Sequence, residues 1–277
     1  TYIFKKDGNI DAVCFRAGDN SYYTELPVRC FKEIFENENI KKISHGIKED
    51  IVLLAKEGIE YKNFFFDAEI GAYILDPTAS DYKLSRLSMA YLSRLTEDFE
   101  DKKAPSVKIH EDKLKIAGEA AASVYELFSV VEGKIKENGQ EFLLYEVEMP
   151  LLGVLADMEI KGFFVDGKML EEYGKELDLR IKSLEDSIYF MAGEEFNINS
   201  PKQLGVVLFE HMGIPAIKKT KTGYSTDAEV LSELSAKFPI VESILEYRQM
   251  AKLKGTYVDG MLPLIGEDGK IHSTFNQ

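Results

Sequence analysis

The chain has 277 residues, 45% of them hydrophobic and 30% charged, and a net charge of −14. This length supports two domains, or one domain with an extended attachment, and the apolar content suffices for real cores. So acidic a balance excludes a molecule whose whole surface binds polyanions, and confines any nucleic-acid contact to one part. The charge is uneven: residues 200–256 hold eight Lys or Arg against six Asp or Glu, while the remainder holds 26 against 42. Two cysteines, Cys14 and Cys30, are too few for a disulfide framework and point to a reducing cytoplasm. The sequence carries no signal-peptide pattern and no apolar run long enough to span a membrane. It opens without Met and stops at Gln277 in a stretch with strand character, so both ends read as cuts through a longer protein.

In chain order, strand patterns at 2–4, 12–15 and 21–26 are separated by turn residues Asp7 and Gly8, then Gly18, Asp19 and Asn20. A helical pattern covers 28–37, a strand 41–44, a helix 48–57 closed by Gly58, and a short buried strand 64–66 leads into Asp67. Strands alternating with helices indicate an α/β domain. The charged stretch 97–106 reads as a solvated loop, and His110, Glu111 and Asp112 read as the start of a helix that covers 113–128. The four histidines, His45, His110, His211 and His272, show no ligand spacing with cysteines or one another, which argues against zinc.

From about residue 138 the pattern is helical. Leu144, Val147, Leu151, Leu155 and Met158 repeat at helical spacing up to Gly162. After a short extended piece, Asp166 is placed to cap a helix over 167–192. In it Leu170, Tyr173, Leu177, Ile181, Leu184, Ile188 and Met191 form an apolar seam that needs a partner helix. Ser200, Pro201 and Gln203 make a capping box for a helix that ends at Gly213. The loop 214–226 contains Lys218, Lys219 and Lys221 and no acid. Thr226 with Glu229 forms a second capping box, and a third helix runs from Pro239 to Gly255.

The runs FNINSPKQLGVVLFE, KKTKTGYST, ILEYRQMAKLKGTY and HSTFNQ, in this order and spacing, resemble the thumb of bacterial family A DNA polymerases. The segment KISHGIKEDIVLLAKEGIEYKNFFFDAEIGAYILD resembles the second motif region of their 3′–5′ exonuclease domain. The resemblance implies an α/β, ribonuclease H-like exonuclease domain at 1–137. An all-α thumb and the start of the palm would follow at 138–277, with the long helices and tip over 166–255. It also implies a monomer in the cytoplasm whose partner is primer–template duplex DNA, with no membrane association.

A polymerase grips DNA of any sequence, so its contacts go to phosphates and sugars, for which hydroxyls, amides and cations are suited. By the resemblance, Asn197, Asn199 and Ser200 face the backbone on the minor-groove side, and Lys219, Thr220, Lys221, Ser225 and Thr226 sit at the tip. Arg248 and Lys252, one helical turn apart, would contact the primer–template backbone, with Lys254, Thr256 and Tyr257 near the base of the thumb. Nucleotide addition in this family uses palm aspartates holding Mg²⁺ and a basic fingers helix gripping the deoxynucleotide. Neither motif occurs in these residues, so Mg²⁺ and deoxynucleotides belong to the parent protein, and the fragment alone is expected not to polymerise.

Exonucleases of this kind hold two divalent metals among about four acids, with a Tyr orienting the attacking water. Asp50 lies at one such position. Lys5, Lys6 and Asp7 stand where an Asp and a Glu are expected, and Ile116 and Ala120 stand where the family has Tyr and Asp. The expectation is a scaffold without a cutting site, in which Asp50 is a helix-start acid near free amides. Two alternatives stay open: a nuclease improvised from Asp50, Asp7 and Glu119, and a non-enzymatic helical module that binds DNA.

Overall fold

The computed structural model describes residues 1–96, 110–220 and 223–277, without the side chains of 110–112 and 220. The chain forms two compact units, Thr1–Gly162 with Ser273–Gln277, and Phe163–His272. Chain connectivity therefore leaves the first unit after Gly162, not at the boundary expected at 137/138, and returns to it after His272. The expected loop at 97–106 lies outside the described residues, as do Lys221 and Thr222.

In the first unit, β1 (Tyr2–Lys6), β2 (Asn9–Ala17) and β3 (Asn20–Thr24) form an antiparallel meander. The turn between the first two is a two-residue hairpin in which Asp7 and Gly8 have φ of 50° and 74°, the pair of left-handed positions that Asp-Gly supplies cheaply. The helix expected at 28–37 is a 3₁₀ turn, Val28–Phe31, running into a single turn, α1 (Lys32–Phe35). Strands β4 (Lys42–Ser44) and β5 (Phe64–Asp67) are parallel and joined through α2 (Ile47–Lys56), which Gly58, at φ 71°, follows. Asp67 then caps α3 (Ala68–Leu75), accepting the Glu69 amide at 2.8 Å. Next come α4 (Leu84–Leu92) and α5 (His110–Glu137). Ala117, Ala121, Val124, Leu127, Val131 and Ile135 give α5 a buried face at three- and four-residue steps, packed with Phe4, Phe35 and Phe66. A π-helical turn, Leu143–Glu148, leads into α6 (Met149–Lys161).

The second unit opens with β6 (Phe163–Phe164) and α7 (Gly167–Ala192), the latter capped by Asp166, whose Oδ1 accepts the Met169 amide at 3.0 Å. Helix α8 (Pro201–Val206) continues as a π-helical turn, Val207–His211. A small hairpin, β7 (Lys219–Thr220) with β8 (Gly223–Tyr224), occupies the loop in which the sequence showed no strand. Then follow α9 (Ala228–Ser235), α10 (Pro239–Leu253) and β9 (Lys270–Ile271), which pairs antiparallel with β6.

Helices α7 and α10 pair along the arm. Leu177, Leu184 and Ile188 are buried in the seam, and Arg180 Nε donates to Glu246 Oε1 at 2.9 Å across it. Tyr173 stays outside, 43% exposed; its neighbour Gly174 meets the partner instead. A Cβ on Gly174 would lie 2.8 Å from Val258 Cγ1, so only glycine permits this approach. Three expectations change. Helix α10 does not stop at Gly255 but runs into a π-helical turn, Lys254–Asp259. The residue that caps α9 is Asp227, accepting the Val230 amide at 2.9 Å, and not Thr226. Residues 272–277 form no strand; Phe275 N–H instead donates to Glu159 Oε1 at 2.9 Å and Gln277 Nε2 to the Glu148 carbonyl at 2.8 Å.

Candidate nucleic-acid interface

The tip of the second unit is built on a small core in which Ile198, Leu204, Leu208, Leu231 and Ile244 are buried. Ile198 anchors the turn before α8, in which the Ser200 amide donates to the Asn197 carbonyl at 2.9 Å, while its neighbours Asn197 and Asn199 are exposed. Both are fixed by local bonds. The Asn197 amide donates to Gln203 Oε1 at 2.8 Å, the Asn199 amide to Asn197 Oδ1 at 2.9 Å, and Asn199 Nδ2 to Tyr247 Oη at 3.4 Å. Ser200 caps α8 as expected, its Oγ accepting the Gln203 amide at 3.5 Å.

A cleft of about 730 Å³ separates the start of α8 from the strand and loop 223–227, with Ser200, Lys202, Tyr224, Ser225 and Thr226 on its walls. Beside it α8 packs closely on β8, since a Cβ on Gly205 would stand 3.2 Å from the Tyr224 Cβ. The structure thus brings Ser200, Ser225 and Thr226 together, and adds the exposed Lys202, which the sequence reading passed over. Its only sequence signal is a cation in the first turn after the Ser-Pro cap. Ser225 and Thr226 are nevertheless 5% and 4% exposed, and the Ser225 hydroxyl donates to Asp227 Oδ2 at 2.6 Å. That bond, with the Val230 amide, holds the Asp227 carboxyl below its usual range.

The expected cations divide into two kinds. Arg248 is half-buried and committed: one guanidinium nitrogen donates to the Thr226 carbonyl at 2.6 Å and the other reaches Thr226 Oγ1 at 3.5 Å. Burial lowers its pKa. Lys254 is likewise engaged, 2.9 Å from Asp259 and 3.4 Å from Asp178, and the hydrogen bond it donates to Asp259 raises its pKa. Neither is an open phosphate contact in this arrangement. Lys252, one turn beyond Arg248, is exposed, and so are Thr256 and Tyr257. Lys219 is exposed with its ammonium 5.3 Å from the Tyr224 ring centroid, a cation–π distance. Thr220 lies in β7, while Lys221 falls outside the described residues.

The exonuclease-like positions lie in the first unit. Asp50 is fully buried in the first turn of α2. Its Oδ1 is 3.0 Å from Lys5 Nζ, and its Oδ2 accepts the Ser44 hydroxyl at 3.1 Å. Lys5, on β1, is also 2.7 Å from Glu49 Oε2. Burial raises the Asp50 pKa against the pull of Lys5; for Lys5, burial acts downward but Asp50 and Glu49 outweigh it, and the ammonium is held well above its ordinary value. Asp50 does not serve the amides at the head of α2. That task falls to Asp67, whose oxygens accept the Gly46 amide at 3.2 Å and the Ile47 amide at 2.6 Å. Ala120 is buried in α5 and Ile116 half-buried beside it. Asp7 sits in the exposed β1–β2 turn and Glu119 stands near Lys115, so neither joins Asp50. Among the described residues, no three of His, Cys, Asp and Glu form a set able to hold a metal ion.

Residues 167–277 match the family described as DNA polymerase family A, and residues 13–109 match the 3′–5′ exonuclease family. DNA polymerase I of Bacillus subtilis is 41% identical over 252 residues, covering 89% of this chain and 29% of that protein. DNA polymerase I of Streptococcus pneumoniae is 39% identical over 279 residues, covering 97% of this chain and 32% of that one. A solved structure, the POL domain of Pol1 from M. smegmatis in complex with DNA primer-template and dNTP, superposes over 100% of this chain with a TM-score of 0.85 and 28% identity; the match covers 48% of that domain's chain. The chain belongs to DNA polymerase family A, joining an exonuclease-like unit to a helical polymerase unit. It spans about a third of the length of the DNA polymerase I relatives it matches.

Proposed function

We propose that this chain is the primer–template-holding part of a bacterial DNA polymerase I, whose complete protein performs template-directed DNA synthesis in replication and repair. The observation that carries the reading is the polar tip of the second unit. Asn197, Asn199, Lys202, Lys219 and Lys252 are exposed there on a packed helical frame. A neighbour of the same fold was solved with primer-template DNA. Amides and ammonium groups of this kind suit sequence-independent contact with sugar and phosphate. Arg248, together with the enclosed hydroxyls of Ser225 and Thr226, shapes the tip from beneath.

In this reading Mg²⁺ and deoxynucleotides serve the complete protein, and no residue described here is assigned to them. The exonuclease-like unit is a scaffold that does not cut: its one matching acid, Asp50, is sealed against an ammonium group. The protein acts as a monomer in the cytoplasm. Among the described residues no helix is long and apolar enough to cross a membrane.

Fluorescence anisotropy with a labelled primer–template duplex, titrated with salt, tests the proposal. Binding is expected to weaken steeply as salt rises. Lys219→Glu and Lys252→Glu should each lower affinity severalfold and reduce the salt slope by about 1. Affinity that ignores salt and both substitutions would reject it.

A further inference from the structure

The exonuclease fold implies divalent metals, and the residues present do not fit them. Asp50 and Glu49 converge, but on Lys5 Nζ, which stands 3.0 Å from one carboxylate and 2.7 Å from the other. A Cβ on Gly46 would lie 3.5 Å from that same nitrogen and 3.6 Å from Glu69 Oε2, and Glu69 feels the Lys5 charge at longer range than the ion-paired acids do. The fourth nearby acid, Asp67, is turned to backbone amides. We propose that the Lys5 ammonium is the resident cation of this acid cluster, holding Asp50 and Glu49 in place and making the unit independent of metal.

The Asp50 side chain has no solvent exposure and the Lys5 side chain 11%, so neither charge is compensated by water. A buried carboxylate persists only if it is paired or neutralised. A covalently attached ammonium does this without dissociating, whereas a divalent ion at the same point would need the space and the carboxylate oxygens that Nζ already takes. The β1–β2 hairpin supplies the precision: Lys5 opposes Ile10, at the irregularity in register that follows Phe4. Burial raises the pKa of Glu69 against the pull of His45 and of Lys5.

This inference rests on reading the first unit as a non-cutting scaffold, and its test is separable from that reading. Thermal unfolding of the 277-residue chain is followed in EDTA and in millimolar Mn²⁺, with degradation of a labelled single strand assayed in parallel. The wild-type Tm is expected to be the same in both solutions. Lys5→Met is expected to lower Tm by on the order of 10 °C in EDTA, since it strands a buried carboxylate, and by as much in Mn²⁺, since among the described residues the acids left behind form no set able to hold a metal ion. Lys5→Met combined with Asp50→Asn removes the stranded charge and should recover part of the loss in either solution. A wild-type Tm that rises with Mn²⁺, or a Lys5→Met protein that unfolds at the wild-type Tm, overturns the proposal. Degradation of the strand by the wild-type chain would break the scaffold reading instead.

Discussion

The two units use cations in opposite ways. In the first, Lys5 lies at the bottom of a cluster of acids, and its charge is consumed by Asp50 and Glu49. In the second, Lys219 and Lys252 are held out from a helical frame with their charges available, while Arg248 is turned inward to brace the loop behind them. The role of a basic side chain is decided by what surrounds it, and burial is the variable that separates a strut from a contact. Long-range attraction for DNA needs the exposed kind; a fold that must retain a buried carboxylate needs the other.

The largest effect is expected at Asp50. Asp50→Ala leaves Lys5 nearly buried without its main partner and is expected to destabilise the first unit by about 3–5 kcal/mol, read from urea unfolding. The second unit should be unaffected, seen as unchanged amide-hydrogen exchange protection along α7 and α10. A smaller loss is expected from Arg248→Ala, about 1–3 kcal/mol, because its hydrogen bonds to Thr226 come from a charged donor. Its diagnostic is faster exchange of the amides of 223–227 with little change along α7. Asp166→Ala sharpens the baseline for the second unit: losing the α7 cap should cost about 1 kcal/mol and leave DNA affinity unchanged, since the cap touches only the Met169 amide.

Much of the frame was legible in the residues. Asp166 and the apolar seam placed α7 over the residues observed, because a capped amphipathic helix is a local matter. The Asp-Gly hairpin and the Ser-Pro-x-Gln start of α8 were equally local. The misses were contacts distant in sequence. Thr226 looked like a cap, yet Asp227 next to it accepts the amide, and Thr226 is taken by Arg248 from 22 residues away. Lys254 was expected as a contact near the base of the thumb, but it pairs with Asp259 five residues on and with Asp178 on α7. Gly255 looked like a stop, but the π-helical turn carries the chain past it and brings Val258 against Gly174. Lys5 was noticed as a substitution for an acid; its pairing with Asp50 needed the three-dimensional approach of β1 to α2.

Strands β6 and β9 are paired through Phe163 and Ile271, so the polypeptide enters and leaves the second unit on adjacent strands. The whole of Phe163–His272 is therefore a closed excursion from a chain that resumes its former business at Ser273. An insertion with neighbouring ends can be lifted out and bridged by a few residues, or grafted into another host loop, without asking either side to span a gap. That economy of attachment makes the arm a transplantable module, and gives evolution a way to lengthen or retune it while the host's own connections stay as they were.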